Sequence, residues 1–577
     1  MANSRRPGIE IIAMASMDTL RSRRSAAQLH AIAGVEREIR ATDHNGRRKY
    51  LLDFSEAFRS YESVLPADKL PELIQQADIL LIGDYHALPA SQRYAASLIT
   101  GLSALPFSEG EGGPREIVIG VETVFSRDQH IVDEWMREEI GESELRERIR
   151  FDFDWGYQWE PFYEVLTAAR EHTSAIYGLD CMPREDLRKI GARDRHAAIK
   201  IAEMRQLHPE ALIVVLFGES HLAPNHLPRL LYERLRTDRV LTILQNVDAL
   251  YWKAAGESCD RVEAVQVTDD VVCVFHTTPL EKYESYRLCL DRWSREGAGN
   301  PDLGPTIYNL IDGLLRFLGM NAYSPHNTTQ PKFLVDSLPE VYCRTTDSVL
   351  RKLLARKGLD EQLKKSLGRR FEKQGCVYLP HMNAFYISEF NMAHAAEEAA
   401  RFLHHACRGL PLWANGKNQV QAGSADLFYT RALEHALAYF GSRVLYPGRP
   451  AVREADFYAL YDQTREDVEQ QTNFGFAEFV EMLDFMALHR GYEIKPTRYI
   501  EVPRQIEEGL RYTGEKLDYV TAQLGYMLGS DLYDAYLEGE VTRRFLKGIF
   551  LAHLDELGVP AQAYFALAAK VRPDKKR

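Results

Sequence analysis

The sequence predicts an α/β domain, a parallel sheet with helices on both faces, followed by a mostly α-helical domain. Three observations predict it. Between about residues 51 and 280, short and largely apolar runs alternate with helical patterns, as strands buried on both faces and joined by crossover helices do. Beyond about residue 305 the strand pattern stops and helical periodicity takes over. Two of the apolar runs, 80–86 and 212–221, end in one pattern of glycine, acid, any residue and histidine, which reads as a strand entering a turn that carries chemistry. A chain of 577 residues also exceeds a single core, so at least two domains are expected. We place an N-terminal helical extension over 1–50, the α/β domain over 51–285 and the helical domain over 300–577. The Gly-, Asn- and Pro-containing stretch 297–305 serves as linker.

Taken in order, residues 17–40 are loosely helical and carry Arg21, Arg23, Arg24, Arg37 and Arg40, which suits a solvated helix packed on an acidic body. Strands are expected at 79–83, 117–121, 175–179, 212–217 and 240–244, each bounded by Gly, Asp or a charged residue. Helices are expected between them at 90–102, 128–139, 161–171, 183–207 and 224–236, three of them opening on a proline that a first turn tolerates. Residues 110–114 read as a flexible loop, and 262–267 with 271–276 as a terminal hairpin about Thr268-Asp269-Asp270. In the second half, helical patterns fall at 306–318, 346–367, 389–407, 426–444, 455–471, 476–488, 503–528 and 532–557, with no solenoid period.

Composition bounds the partners. A net charge of −12 argues against nucleic acid, whose phosphates call for a basic surface. No stretch approaches a membrane span, so no stable membrane insertion is expected. The apolar run Ile11 to Ala15 is too short for a secretion signal, and polar Ser16 and Asp18 follow it. The seven cysteines are scattered and form no CxxC, as reduced thiols would be. A cytoplasmic location is therefore expected.

In an open parallel sheet, ligands bind at the carboxyl ends of the strands. Here those ends read Gly83-Asp84-Tyr85-His86, Gly120-Val121-Glu122-Thr123, Gly178-Leu179-Asp180-Cys181 and Gly218-Glu219-Ser220-His221. One rim thus gathers two imidazoles and four carboxylates, which cannot all stay charged side by side without a cation or a shared proton. A divalent metal on Asp84, His86, Glu122, Glu219 and His221 would relieve the repulsion and activate a water. Without metal, His86 or His221 would serve as general base, oriented by a carboxylate. The helix after the third strand reads as broken at Gly191. On its resumed part, Ala197, Ile201 and Met204 set the apolar face, with Arg193 and Asp194 within or beside it and Arg195 and His196 pointing away. An inward charged pair needs partners, and the carboxylate rim supplies them for Arg193.

These residues carry a resemblance. The stretch from about 80 to 244, within the wider 51–280 region, resembles the ChaN-like family of haem-binding uptake proteins. It is similar to the superfamily that also holds TIKI proteases, TraB proteins and erythromycin esterases. The matching motifs are Gly83-Asp84-Tyr85-His86, Gly120-Val121-Glu122, Phe153-Asp154-Trp155-Gly156-Tyr157, Ala192-Arg193-Asp194 and Gly218-Glu219-Ser220-His221. The resemblance implies either of two functions: hydrolysis by His and Glu, sometimes with a metal, or haem binding. It puts His86, His221, Glu122 and Arg193 at the family's functional positions, and a haem iron would find Tyr85 or Tyr157 as ligand. The sequence departs from the haem-binding lipoproteins in showing no export signal and in its long helical extension.

In that extension, residues 392–407 place His394, Glu397, Glu398, Arg401, His404 and His405 largely opposite Met392, Ala396, Ala399, Ala400, Leu403 and Cys407. The split predicts an ordinary amphipathic helix with a solvated polar face. A bundle metal site with Glu434 and His435 is the alternative, but the Glu-x-x-His such sites use is missing. The aromatic residues here, such as Phe428, Tyr429, Tyr458 and Tyr461, read as core and interface, including an interface between copies of the chain.

The leading expectation is a hydrolase of an ester, amide or lactone in a small molecule or peptide. His86, His221, Glu122, Asp84 and Glu219 would position a water, with or without a metal, and Arg193 would stabilise negative charge. The alternatives are a haem- or iron-binding protein without turnover and a non-catalytic scaffold.

Overall fold

The computed structural model describes residues 7–43, 49–66, 68–103, 115–181, 190–255, 262–294, 302–320, 338–356, 361–380, 382–408, 424–494, 514–554 and 556–572. The expected loop at 110–114, most of the expected linker at 297–305 and the first part of the expected helix 503–528 lie outside these residues. The chain divides into two compact units, Met1–Met17 with Val35–Pro301 and Asp18–Gly34 with Asp302–Arg577.

The first unit is built on an eight-stranded sheet of β1 (Ser63–Val64), β2 (Ile79–Asp84), β3 (Ile117–Phe125), β4 (Ala175–Asp180), β5 (Leu212–Gly218), β6 (Val240–Gln245), β7 (Ala264–Thr268) and β8 (Val271–Val274), in the order β1-β7-β8-β6-β2-β5-β3-β4. The pairs from β8 through β4 are parallel. β7 turns back on β8 as the expected terminal hairpin and pairs antiparallel with both β8 and β1, so the sheet is mixed rather than wholly parallel. The cause is local: the Asp269-Asp270 turn is too short for a crossover, so it forces a hairpin.

The alternation of side chains along β2 splits the core in two. Leu80 and Ile82 pack with Ile119, Leu216, Trp135, Phe151 and Trp159 on one face. Ile79 and Leu81 pack with Val215, Phe217, Ala197, Ile201 and Leu227 on the other. Two arginines tie the amino ends of the central strands: Arg115 donates to the carbonyls of Ala77 and Ala211, and Arg205 to those of Asp78 and Ala211. β2 and β5 are therefore neighbours in fixed register, with Gly83 opposite Phe217 and Asp84 opposite Gly218. The helix Ile190–Leu207 holds Gly191 in its first turn, and the stretch of the expected helix before the break read at Gly191 lies outside the described residues. Arg193, Asp194, Ala197, Ala198, Ile201 and Met204 form its buried face, and Arg195 is exposed.

The second unit is largely helical. Its helices Ser424–Leu445 and Gly514–Glu538 approach closely because Gly525 and Gly529, one turn apart, lie against the Ala432 and Ala436 carbonyls; a Cβ on either would sit 2.6 or 2.5 Å from those oxygens. The unit also holds a small sheet that the sequence reading missed: β9 (Glu340–Cys343), β10 (Cys376–Leu379) and β11 (Ala384–Ile387), in the order β10-β11-β9. Four-residue runs are too short to show a period, and β10 and β11 lie between segments of strong helical pattern. A second correction concerns the helix Met392–Arg408. Its Glu397, Glu398, Arg401, His404 and His405 are buried rather than solvated.

Candidate functional site at the carboxyl ends of β2, β3 and β5

Strand order brings the two Gly-acid-x-His turns together, since β2 and β5 are adjacent and β3 flanks β5 on its far side. A register shift places the acid between them. β3 pairs with β4 through Val121 and Gly178, and next through Phe125 and Asp180, so Glu122 falls in an irregular stretch with extra residues. Such a bulge re-aims a side chain, and Glu122 turns into the rim, where it is almost wholly buried.

Glu122 is the centre. Its Oε1 accepts from Arg193 Nη2 at 2.5 Å, and its Oε2 accepts from the Gly218 N–H at 2.6 Å. His86 Nε2 lies 3.7 Å from Oε2, and His221 Nε2 lies 3.9 Å from Oε1. The two imidazoles thus bracket one carboxylate. Each is held from behind by another: His86 Nδ1 donates to Asp84 Oδ2 at 2.7 Å, and His221 Nδ1 to Asp194 Oδ1. Asp84 also accepts from Gln92 Nε2, and Asp194 Oδ2 from the Tyr50 hydroxyl at 2.7 Å. Arg193 reaches Asp180 as well, through Nε at 2.7 Å and Nη2 at 2.9 Å.

The electrostatics follow from these contacts. Burial works to raise the Glu122 carboxyl, but the charges of His86, Arg193 and His221 and the Gly218 N–H outweigh it and bring it down to about 2. Burial opposes charge on His86 too, and the charge and hydrogen bond of Asp84 with the charge of Glu122 leave it above the ordinary imidazole value.

The remaining expected residues separate into two groups. Glu219 faces Lys282, whose ammonium donates to it at 3.0 and 3.3 Å and sits 4.5 Å from the centroid of the Tyr85 ring. Burial outweighs Lys282 and leaves the Glu219 carboxyl above its ordinary value. Tyr157 belongs instead to an aromatic wall beside His86. Trp155 and Tyr157 lie 4.5 and 5.4 Å from that imidazole, and Trp293 lies 5.3 Å from Tyr157. His86 is the partly open member of the rim, its side chain 22% exposed.

The five-residue metal set is therefore not assembled. Arg193 and Lys282 supply positive charge of the kind that a metal was expected to bring. Among the described residues, no group of three or more His, Cys, Asp and Glu is arranged to hold a metal ion. Sequence reasoning also missed working parts of the rim. Asp194 was visible as an inward acid, but its partner was not. Gln92, Lys282 and Tyr50 carry no motif, and Lys282 and Tyr50 also lie far along the chain from the groups they hold.

Residues 70–213 match the family described as haem-binding uptake, Tiki superfamily, ChaN. Over this central segment the chain is similar to the ChaN-like proteins of the Tiki superfamily. The ChaN-like match takes in Asp84, His86, Glu122, Asp180 and Arg193 and stops short of His221 and Lys282. A solved structure described as cofacial heme binding to ChaN of Campylobacter jejuni is similar at 14% identity with a TM-score of 0.24, covering 33% of this chain and 89% of that one. A likeness that slight carries no argument about this chain. No curated protein matches it. The match overturns the cytoplasmic location expected from the cysteines and the N-terminus, because a haem-binding uptake family implies an extracytoplasmic role. Among the described residues, no helix is long and apolar enough to cross a membrane.

Proposed function

We propose that the rim is a binding centre for haem or another iron-carrying ligand, entered along the aromatic wall. The carrying observation is His86: it is partly open, is walled by Trp155 and Tyr157, and has its Nδ1–H committed to Asp84. An imidazole that ligates a metal usually donates its other ring N–H in this way. A cradle lies at the opposite nitrogen, since a Cβ on Gly218 would come within 3.1 Å of His86 Nε2. The phenols fit an iron less well. Burial, with the charges of Glu219 and Asp248, holds Tyr85 well above its ordinary value, and burial does the same to Tyr157. Both stay protonated, and a phenolate ligand must lose that proton. The description of the family supports a haem or iron role for the matched segment.

Titrating hemin into the full chain tests this. The expected result is a saturable Soret shift, weakened at least tenfold in His86→Ala as one good ligand bond is lost, with Tyr85→Phe close to the parent. No saturable shift in the parent, or an equal one in His86→Ala, sinks it.

A second reading is favoured by one specific feature, the bracketing of Glu122 by His86 and His221, each backed by an aspartate. That arrangement suits general acid–base activation of a water against an ester, amide or lactone. Arg193, bound to both Asp180 and Glu122, would fix Glu122 rather than meet substrate. Hydrolysis of a panel of such substrates, lost in both Glu122→Gln and His221→Ala, is the expected outcome of this reading; activity that survives both rules it out.

A further inference from the structure

Behind the His221–Asp194 pair, a cleft of about 710 Å³ opens between the helices Lys49–Ala57, Ile190–Leu207 and Leu227–Arg234. Its lining is polar and charged, with Lys49, Tyr50, Asp53, Arg195, His226 and Arg229 prominent. The charges do not cancel locally. Asp194 is taken by Tyr50 and His221, Glu56 lies 3.7 Å from Arg59, and Arg229 pairs with Glu233 at 3.3 Å, while Asp53 lies 3.2 Å from His226, an imidazole that burial holds below its ordinary value. Lys49 and Arg195 are exposed and have no ion partner among the described residues. The floor is rigid: the Tyr50 and His226 rings stack at 3.8 Å and 17°, and the Tyr50 hydroxyl is fixed on Asp194.

We propose that this cleft is a second ligand site, which takes a small organic anion, a phosphate ester or a carboxylate, whose negative group is met by Lys49 and Arg195. Two cations with no ion partner among the described residues, set in a concave surface against the single carboxylate of Asp53, raise the local concentration of anions and give them charge-assisted hydrogen bonds. The volume suits a molecule rather than a bare ion, since small-molecule pockets run from roughly 300 to 1,000 Å³. The cleft shares no cation with the rim, where Arg193 and Lys282 are consumed by Glu122, Asp180 and Glu219. It touches the rim through one hydrogen-bonded line, Tyr50 to Asp194 to His221, so an occupant sits two contacts from an imidazole of that site. The proposal does not rest on the haem reading.

Isothermal titration of the full chain with inorganic phosphate, and separately with succinate, tests it. Saturable binding of at least one anion is expected, weakened about tenfold or more in the Lys49→Gln/Arg195→Gln double variant, as loss of charge-assisted contacts implies. Both side chains are exposed, so the variant keeps its fold, and far-UV circular dichroism checks this. Binding of phosphate alone assigns phosphate esters, and binding of succinate alone assigns carboxylates. No saturable binding of either at millimolar concentration, or binding undiminished in the double variant, overturns the proposal.

Discussion

The two units each bury an ion network built from the same residue types, and the networks differ in what they leave open. In the α/β unit, one guanidinium, Arg193, serves Glu122 and Asp180 at the ends of strands. The sheet stops there and the chain diverges, so His86 stays in reach of solvent. In the helical unit, Arg401 serves Glu397, Glu398 and Glu434 from within a 17-residue helix. Arg449 and the Tyr526 hydroxyl also bind Glu397, at 2.7 and 3.0 Å, and the Tyr378 N–H binds Glu398 at 2.7 Å. That network is sealed, with Arg401 1% exposed and Glu397 and Glu398 fully buried. Clustered charge alone does not mark a site; what sets the rim apart as the candidate is its place at strand ends with one member left open.

The largest expected effect breaks the sealed network. Arg401→Leu leaves three buried carboxylates without their shared cation, which is expected to cost about 3–5 kcal/mol, as removal of one partner of a buried ion pair does. Arg193→Leu strands two carboxylates beside a partly open histidine, so relaxation and water entry place it at the lower end of that range. Thermal unfolding followed by circular dichroism measures both. A parent-like melt for Arg401→Leu would remove the contrast, because the network would then be holding nothing.

Acid sharpens the comparison. Burial tends to raise Glu397, but Arg449 and Arg401 outweigh it and hold it at about 2, the value reached by Glu122 through His86, Arg193 and His221. For each, the folded pKa lies below the ordinary 4.5, so the unfolded chain binds the proton first. The stabilisation is therefore complete above about pH 4.5 and is lost as the pH falls toward 2. Glu122→Gln and Glu397→Gln are expected to lower stability at neutral pH and to flatten the acid limb between these values. Urea midpoints across the range read this out. A variant whose acid limb is as steep as the parent's shows that its carboxylate is not the source.

What was legible in the sequence follows the same division. The strand ends were readable because four apolar runs stop at glycine and a carboxylate follows in each, and neighbouring parallel strands bring such ends together. Arg193 was readable because helical period placed it on the buried face. The register shift that aims Glu122, and the partners Gln92, Lys282 and Tyr50, are products of tertiary packing and leave no local pattern. The helical network misled for a physical reason. A helix with one charged and one apolar face looks the same whether the charged face meets water or two guanidiniums from elsewhere in the chain, and Arg370 and Arg449 decide which.

The smallest expected effect on stability separates a site from a scaffold most cleanly. Gly218 has φ −52° and ψ 129°, a conformation open to any residue, so Gly218→Ala introduces no backbone strain. Its new Cβ, however, would stand 3.1 Å from both His86 Nε2 and Glu122 Oε2. Those atoms must give by a few tenths of an ångström, and the cradle beside His86 closes. Stability is expected to change by less than about 1 kcal/mol, while ligand affinity or turnover at the rim falls about tenfold or more, as sub-ångström misplacement of a site commonly does. Gly368 provides the counterpart in the helical unit. Its Cβ would meet nothing within 4 Å in the helix Glu361–Gln374, so Gly368→Ala is expected to stabilise by roughly 0.5–1 kcal/mol through helix propensity and to leave the rim untouched. If Gly218→Ala binds or turns over like the parent, the space between His86 and Glu122 is packing, and the contrast between an open and a sealed network loses its functional meaning.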